Sequence, residues 1–309
     1  MNGFFDVYKP GGMTSHDVVA KVRRAARLKR VGHAGTLDPA AEGVLLVCVG
    51  PATRVVDWLA ATRKGYRATI SLGATTTTDD ATGEVLERRD ASGVSRESVE
   101  VALAGMVGRV LQVPPMYSAL KRGGTPLYKL ARKGIEVERE PREIEIHALR
   151  LLDWAPPGLT IDVECGKGTY VRTIARDLGA ALGCGAHLAH LVRTAVGRFT
   201  SADAVPLADL LTALEEGRWE DLLYPPDEAL VDLPAVTVGE ANERRIETGS
   251  PWVPTYSLRA PAAGALVRVY SSSGELLGLA EYDAALGHYQ PRKSLRTPRA
   301  GGAQADAAS

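Results

Sequence analysis

One loop of this sequence combines a carboxylate with the backbone features of a rigid site. The segment Val31–Leu46 reads VGHAGTLDPAAEGVLL, and Pro39 directly follows Asp38. Pro39 restricts Asp38 to extended backbone geometry, while the glycines permit tight turns and the close approach of a ligand. A carboxylate held on a stiff loop is suited to catalysis. Asp-Pro pairs are also common where the aspartate only stabilises a turn, so the loop alone leaves both interpretations open.

Other residue types argue against metal or disulfide chemistry. The three cysteines, Cys48, Cys165 and Cys184, are odd in number and lack CxxC spacing, so we expect them to be reduced and buried. The six histidines form no HxxxH or HExxH pair. We therefore expect no metal site.

The net charge is zero, but the charge is segregated along the chain. Lys21–Arg30 has six basic residues and no acid, and Lys121–Arg142 has seven basic residues against three acidic ones. Asp203–Asp232 has nine acids and one arginine. Because phosphate binding depends on local potential, such basic runs are compatible with RNA. Each run by itself is also typical of a solvated helix face.

The elements around the loop predict an α+β domain on a mixed, mainly antiparallel sheet, since strands and helices alternate without a regular βαβ rhythm. Helical spacing begins at Asp17, and Asp17, or Ser15 before it, is a suitable N-cap. The predicted helices are Asp17–Arg27, Pro51–Ala61 and Tyr170–Leu182, and the predicted strands are Val44–Val49, Tyr66–Leu72, Gly158–Cys165 and His187–Phe199.

A second, smaller unit follows Pro225 and Pro226. We predict a first domain over residues 1–228, a small β-rich domain over 229–296 and a disordered tail over 297–309, because the tail is small and polar. Within the second domain the pattern predicts a helix at Gly239–Thr248 and strands at Val267–Tyr270 and Leu276–Glu281.

The composition is typical of a soluble globular protein, with 45% hydrophobic and 24% charged residues. No segment approaches the ~20 apolar residues that a membrane span needs. The first residues, MNGFFDVYKP, lack the layout of a secretory signal. We expect a cytoplasmic protein with no membrane association.

Six motifs in order resemble the bacterial tRNA pseudouridine-55 synthase family, the TruB-type branch of pseudouridine synthases. The Asp38 loop is similar to the GHxGxLDPxAxG-like loop that carries the family's nucleophilic aspartate. The other motifs are KPGGMTS (9–15), KGYR (64–67), MYSALK (116–121), GKGTYVRTI (166–174) and LGCGAH (182–187), so the resemblance covers about residues 3–200. The chain departs from the pattern at Ala34 and Glu42, where threonine is more usual. The first half of segment 74–83 also lacks an Arg and an Asp that the family often has there, although Asp80 and Gly83 are present.

The resemblance implies that the chain isomerises uridine 55 in the T-arm of tRNA to pseudouridine. It implies Asp38, Arg172 and Tyr66 as catalytic residues, with Arg172 pairing with Asp38 and Tyr66 stacking on the flipped uracil. An isomerisation needs no redox change or outside group, so no cofactor is expected. Without the resemblance, Arg172 is a solvated helix arginine and Tyr66 a core tyrosine. Whether Asp38 attacks the sugar, stabilises positive charge at C1′ or removes the C2′ proton stays open.

The resemblance also implies four substrate-binding residues. His33 inserts into the RNA where the target base was stacked, and Leu191 and Tyr170 line the pocket of the flipped base. Lys9 is the fourth, although its Lys-Pro motif also suits a role in supporting the catalytic loop.

The implied partner is tRNA, through the T-arm and, for a PUA-like C-terminal domain, the acceptor stem. A thumb-like loop at about 116–142 would close over the RNA. We expect a stand-alone monomer that needs no protein partner. Three other functions stay open: an additional role as a tRNA folding chaperone, a non-catalytic RNA-binding factor, or a synthase that depends on a guide RNA.

Overall fold

The computed structural model describes residues 1–118, 120–253 and 261–296. Seven α-helices are α1 (Ser15–Ala25), α2 (Val56–Ala61), α3 (Arg96–Ala104), α4 (Leu127–Ala131), α5 (Val171–Ala181), α6 (Leu207–Glu216) and α7 (Glu240–Glu247) in these ranges. Three 3-10 helices are Gly50–Val55, Glu220–Leu222 and Pro226–Ala229. The strands are β1 (Gly3–Lys9), β2 (Val31–His33), β3 (Glu42–Val49), β4 (Lys64–Leu72), β5 (Ala74–Thr76), β6 (Val85–Arg88), β7 (Gly108–Gln112), β8 (Lys121–Arg122), β9 (Thr125–Pro126), β10 (Arg142–Ala155), β11 (Gly158–Cys165), β12 (Ala186–Val196), β13 (Phe199–Thr200), β14 (Val205–Pro206), β15 (Ala235–Val238), β16 (Leu266–Ser271), β17 (Leu276–Asp283) and β18 (His288–Ser294).

A ten-stranded sheet forms the first domain, in the order β14-β1-β3-β12-β4-β11-β10-β7, with β2 beside β3 and β13 beside β12. The β1–β14 and β3–β12 pairs are parallel and the other pairs are antiparallel. The predicted α+β class and mixed, mainly antiparallel sheet are therefore confirmed. Strand β12 lies between β3 and β4, so its residues reach both the strand after the Asp38 loop and the strand of Tyr66.

Helix α1 packs on this sheet through its apolar face. Val18, Val19 and Val22 are buried against the core, which also includes residues of α6. Thr14 is the N-cap: its hydroxyl oxygen accepts from Asp17 N, and the Asp17 carboxylate accepts from Thr14 N, which completes a capping box. The expected cap at Ser15 or Asp17 is corrected accordingly. The segment predicted as one helix at Pro51–Ala61 consists of a 3-10 helix followed by α2.

The four-stranded sheet β15-β16-β17-β18 forms the small C-terminal unit. Its core contains Trp252, Val267, Val269 and Tyr289. A separate cluster of Val55, Leu230, Leu279 and Leu295 joins it to the first domain. The predicted tail 297–309 lies outside the described residues.

The three cysteines are buried and free, as the sequence predicted. Among the helices in the described ranges, none has the length and apolar character to cross a membrane.

Candidate active site

Asp38 and Arg172 come together although 134 residues separate them in the chain. Asp38 lies in the loop between β2 and β3, and Arg172 is in the first turn of α5. Arg172 Nε lies 2.8 Å from Asp38 Oδ2 in an ion pair, and Arg172 Nη2 donates to Oδ1 at 3.2 Å. The close ion pair attracts the charge of the carboxylate, and the hydrogen bond from Nη2 helps to orient it.

The Arg172 guanidinium also contacts two other segments of the chain, 78–80 and the one containing Tyr117. It donates to the carbonyl oxygens of Thr78 at 3.2 Å and Tyr117 at 2.9 Å, and it lies 3.8 Å from Asp80 Oδ2. Its side chain is only 4% exposed, so these contacts replace water around the charge. Arg172 is therefore a buried cation that holds the Asp38 loop against two other segments of the chain.

The Asp38 side chain keeps 38% of its surface exposed, so the residue is accessible from outside the protein. Desolvation raises the pKa of Asp38, the Arg172 guanidinium lowers it, and the Asp80 carboxylate raises it. The net result is a pKa above the ordinary aspartate value. The loop therefore holds an oriented carboxylate whose charge the surroundings only partly compensate.

Tyr66 and Leu191 belong to the same buried core cluster as Leu37, the residue before Asp38. Tyr66, on β4, is 7% exposed and Leu191, on β12, is 8% exposed. Burial raises the pKa of Tyr66, whereas nearby Arg193 lowers it. The Tyr66 hydroxyl is therefore held neutral. Tyr170 is the N-cap residue of α5, and its backbone exchanges two hydrogen bonds with the Gln112 side chain.

His33 lies at the end of β2, and its ring packs edge-on against His16 with 5.3 Å between the ring centroids. Burial, His16 and Arg193 lower the pKa of His33 to about 4. The imidazole is therefore neutral at physiological pH, and its Nδ1 has no hydrogen-bond partner among the residues described.

Lys9 has no exposed surface. Its Nζ donates to the carbonyl oxygens of Pro10 at 2.8 Å, Met13 at 2.7 Å and Pro39 at 3.2 Å. Burial lowers the pKa of Lys9 to about 8. Because one of these bonds is to the residue after Asp38, this environment favours support of the catalytic loop over direct contact with a ligand.

Arg193 is a central residue that the sequence reasoning missed. Its fully buried guanidinium donates to the carbonyl oxygens of Val44 at 2.7 Å, Gly35 at 3.1 Å and Thr36 at 3.4 Å. These carbonyls lie on both sides of Asp38 in the chain, so Arg193 braces the loop from inside the sheet. The available signal was an arginine at a position where strand alternation predicts a buried side chain.

Residues 23–171 match the TruB family pseudouridylate synthase (N terminal domain), residues 172–231 match the tRNA pseudouridylate synthase B C-terminal domain, and residues 236–285 match a PUA-like domain. A tRNA pseudouridine synthase B of Symbiobacterium thermophilum is 52% identical over 82% of this chain and 84% of its own length. The chain belongs to the TruB family of pseudouridylate synthases.

Other relatives extend the comparison over the full length. A tRNA pseudouridine synthase B of Thiobacillus denitrificans is 43% identical over 97% of this chain and 98% of its own. A solved structure described as a Cbf5-Nop10-Gar1 complex superposes with a TM-score of 0.74, at 26% identity over 95% of this chain and 85% of that one. The TruB-type resemblance and the PUA-like C-terminal domain are thus confirmed.

In this TruB-family chain the thumb-like segment 116–142 is mostly exposed and contains little regular structure. Strands β8 and β9 form a short hairpin, and α4 follows it. Arg132 lies over the Tyr128 ring, 5.7 Å from its centroid, and Arg139 donates to the Pro114 carbonyl at 3.2 Å. Ala119, in the same segment, lies outside the described residues.

Proposed function

We propose that this chain converts uridine 55 in the T-arm of tRNA to pseudouridine, with Asp38 as the essential catalytic group. The contact between Asp38 and Arg172 carries the proposal. It joins an exposed carboxylate surface to a buried cation that orients it, and it lies beside an aromatic residue on which a base can stack.

The reaction breaks the N1–C1′ bond, turns the uracil and joins C5 to C1′. The proton on C5 is lost and N1 gains one, so atoms balance without a cofactor or a redox partner. Asp38 supplies negative charge during cleavage of the glycosidic bond. Attack on C1′, stabilisation of positive charge there and removal of the C2′ proton all need the ionised carboxylate.

The target nucleotide must leave the stack of the RNA loop before its C1′ can meet Asp38. Tyr66 stacks on the flipped uracil, Leu191 and Tyr170 line the pocket, and the neutral ring of His33 fills the vacated space. Stacking on an aromatic ring contributes ~1–3 kcal/mol per base. The thumb-like segment closes over the RNA, and the PUA-like domain contacts the acceptor stem.

The site favours catalysis over RNA binding alone. A binding factor has no use for a partly desolvated carboxylate, which costs free energy and repels phosphates. The 52% identity with a tRNA pseudouridine synthase B, against 26% with the chain from a Cbf5-Nop10-Gar1 complex, also supports a stand-alone enzyme over one that works inside a complex.

The site of modification is tested by treating an unmodified tRNA transcript with the purified chain and mapping pseudouridine along it. We expect conversion at position 55, and none at that position in a transcript carrying cytidine there. Modification confined to the anticodon arm would contradict the proposed substrate site.

A further inference from the structure

The exposed side of α1 and the turn after it form a surface that the active site does not use. All six of its cations are exposed, and within residues 1–118, 120–253 and 261–296 none forms an ion pair with a carboxylate. We call this surface the α1 basic face; it consists of Lys21, Arg23, Arg24, Arg27, Lys29 and Arg30.

The α1 basic face begins next to the active site. The rings of His16, in the first turn of α1, and His33 are in contact, and the Ser15 hydroxyl exchanges hydrogen bonds with the backbone of Leu37. The 11 residues of α1 then extend for about 16 Å at 1.5 Å per residue. The far end of the face is therefore well beyond the nucleotide that meets Asp38.

The far end leads to the PUA-like domain. The Arg30 carbonyl accepts a hydrogen bond from Gly50 N at 3.0 Å, which begins the 3-10 helix Gly50–Val55. In that helix Arg54 donates to the Ser294 carbonyl of β18 at 2.6 Å. One continuous path thus connects His33, the α1 basic face and the second sheet.

Acidic residues compensate this charge at one end only: Asp17, the one carboxylate within α1, lies one turn before Lys21. The neighbouring helix α6 packs against the apolar side of α1 through Leu207, Leu210 and Leu214. In the part of the chain that is described, Asp209, Glu215 and Glu216 of α6 form no ion pair with α1. The positive potential of the α1 basic face is therefore available to a partner.

The chemistry of the face fits a polyanion better than a protein. Its exposed residues are long cations, with Ala20 as the exposed apolar side chain within α1. Protein interfaces rely on a buried core rich in aromatic and aliphatic anchors, which such a face does not offer. Phosphates need only mobile cations at suitable spacing.

We propose that the α1 basic face binds the phosphate backbone of the RNA stem that carries the target loop. This inference rests on the proposed function, because it takes the tRNA T-arm as the ligand. At 3.4 Å of axis per phosphate, about 16 Å corresponds to about five phosphates of one strand. The contact is independent of base sequence and guides the stem from the catalytic loop toward the PUA-like domain.

The test is the salt dependence of tRNA binding by the triple variant Lys21→Gln, Arg24→Gln, Arg27→Gln. The matched control removes three exposed cations elsewhere: Arg88→Gln, Arg96→Gln, Arg150→Gln. Circular dichroism verifies folding of both. We expect the α1 variant to bind full-length tRNA about 10- to 100-fold more weakly at 0.15 M salt. The slope of log association constant against log salt concentration should become less negative by about 2 to 3. The control should match wild type.

A second RNA locates the contact. The variant and wild type should bind equally well to a T-arm stem-loop whose stem is cut to two base pairs, because the phosphates in question are then missing. Unchanged slope and affinity on full-length tRNA would overturn the proposal, as would an equal loss on the shortened stem-loop. The slope comes from binding alone, so a wild type that bound tRNA without forming pseudouridine would contradict the proposed function and not this contact.

Discussion

At the residue scale, the charge of Asp38 depends on two opposed surroundings. Desolvation disfavours the carboxylate, and the ion pair with Arg172 favours it. The carboxylate is also the group that the reaction uses, so the same balance controls both its ionisation and its orientation. The pH dependence of the reaction reports that balance.

The first prediction concerns the acidic limb of the pH profile. Ionised Asp38 is the active form, so the single-turnover rate should fall as the pH drops. Because the pKa of Asp38 is raised, the midpoint of this fall should lie above the pKa of an ordinary aspartate. In Arg172→Gln the favourable contact is lost, so the limb should move to higher pH and the plateau rate should fall. An unmoved limb in this variant would contradict the role of Arg172.

A second prediction concerns Asp6, whose two carboxylate oxygens are buried and have no partner among the described residues. Desolvation and Asp203 raise the pKa of Asp6 to about 7, while Arg193 lowers it. The folded state therefore holds a proton that the unfolded state releases near pH 4, and stability falls as the pH rises between these values. Relative to Asp6→Asn, wild type should lose up to about 4 kcal/mol of unfolding free energy from pH 4 to pH 8.

Urea denaturation of both proteins across that range measures the difference. Asp57→Asn, at an exposed aspartate of α2, should follow the wild-type curve. Parallel curves for wild type and Asp6→Asn would show that Asp6 ionises normally.

At the element scale, β12 determines the site because it pairs with β3 on one side and β4 on the other. Arg193 faces Gly43 in the first pair and Tyr66 in the second. Gly43 has φ +100°, and a Cβ there would lie 2.2 Å from the Arg193 carbonyl oxygen. Only glycine allows this approach without movement of the strands.

The third prediction follows from this contact. Gly43→Ala should lower the free energy of unfolding by about 2–4 kcal/mol, since the two strands must separate. The control is Gly217→Ala, which has φ +75° but open space around the added Cβ. It should cost only ~1–2 kcal/mol from the left-handed backbone. Equal losses in thermal or urea unfolding would show that backbone strain, not strand contact, explains Gly43.

Local sequence patterns predicted the elements better than the contacts between them. The apolar spacing of α1 and the extended stretches of β4 and β11 are visible in short windows. The carbonyl partners that make burial of Lys9 and Arg193 possible are not visible there. Those of Lys9 come together only in folded loops, and those of Arg193 lie about 150 residues away in the chain. The prediction that Asp38 contacts Arg172 came from the family resemblance. No local pattern relates a residue in the loop between β2 and β3 to a residue on α5.

At the scale of the whole molecule, a small apolar junction links the C-terminal sheet to the first domain, and the α1 basic face ends near it. The junction of Val55, Leu230, Leu279 and Leu295 fixes the PUA-like domain beside the 3-10 helix that follows β3. The catalytic loop is thus connected to the second domain through β3 and the 3-10 helix Gly50–Val55. The zero net charge hides this organisation, because the acidic and basic runs occupy different elements.

The central claim is that Asp38 performs the chemistry and that RNA binding is separable from it. The most direct measurement compares pseudouridine formation and tRNA affinity in Asp38→Asn, with Asp57→Asn as control. We predict a loss of at least about 10³-fold in the single-turnover rate, with the dissociation constant for tRNA unchanged within about threefold, because only the charge of one side chain is removed. Appreciable conversion of uridine 55 by folded Asp38→Asn protein would contradict the account.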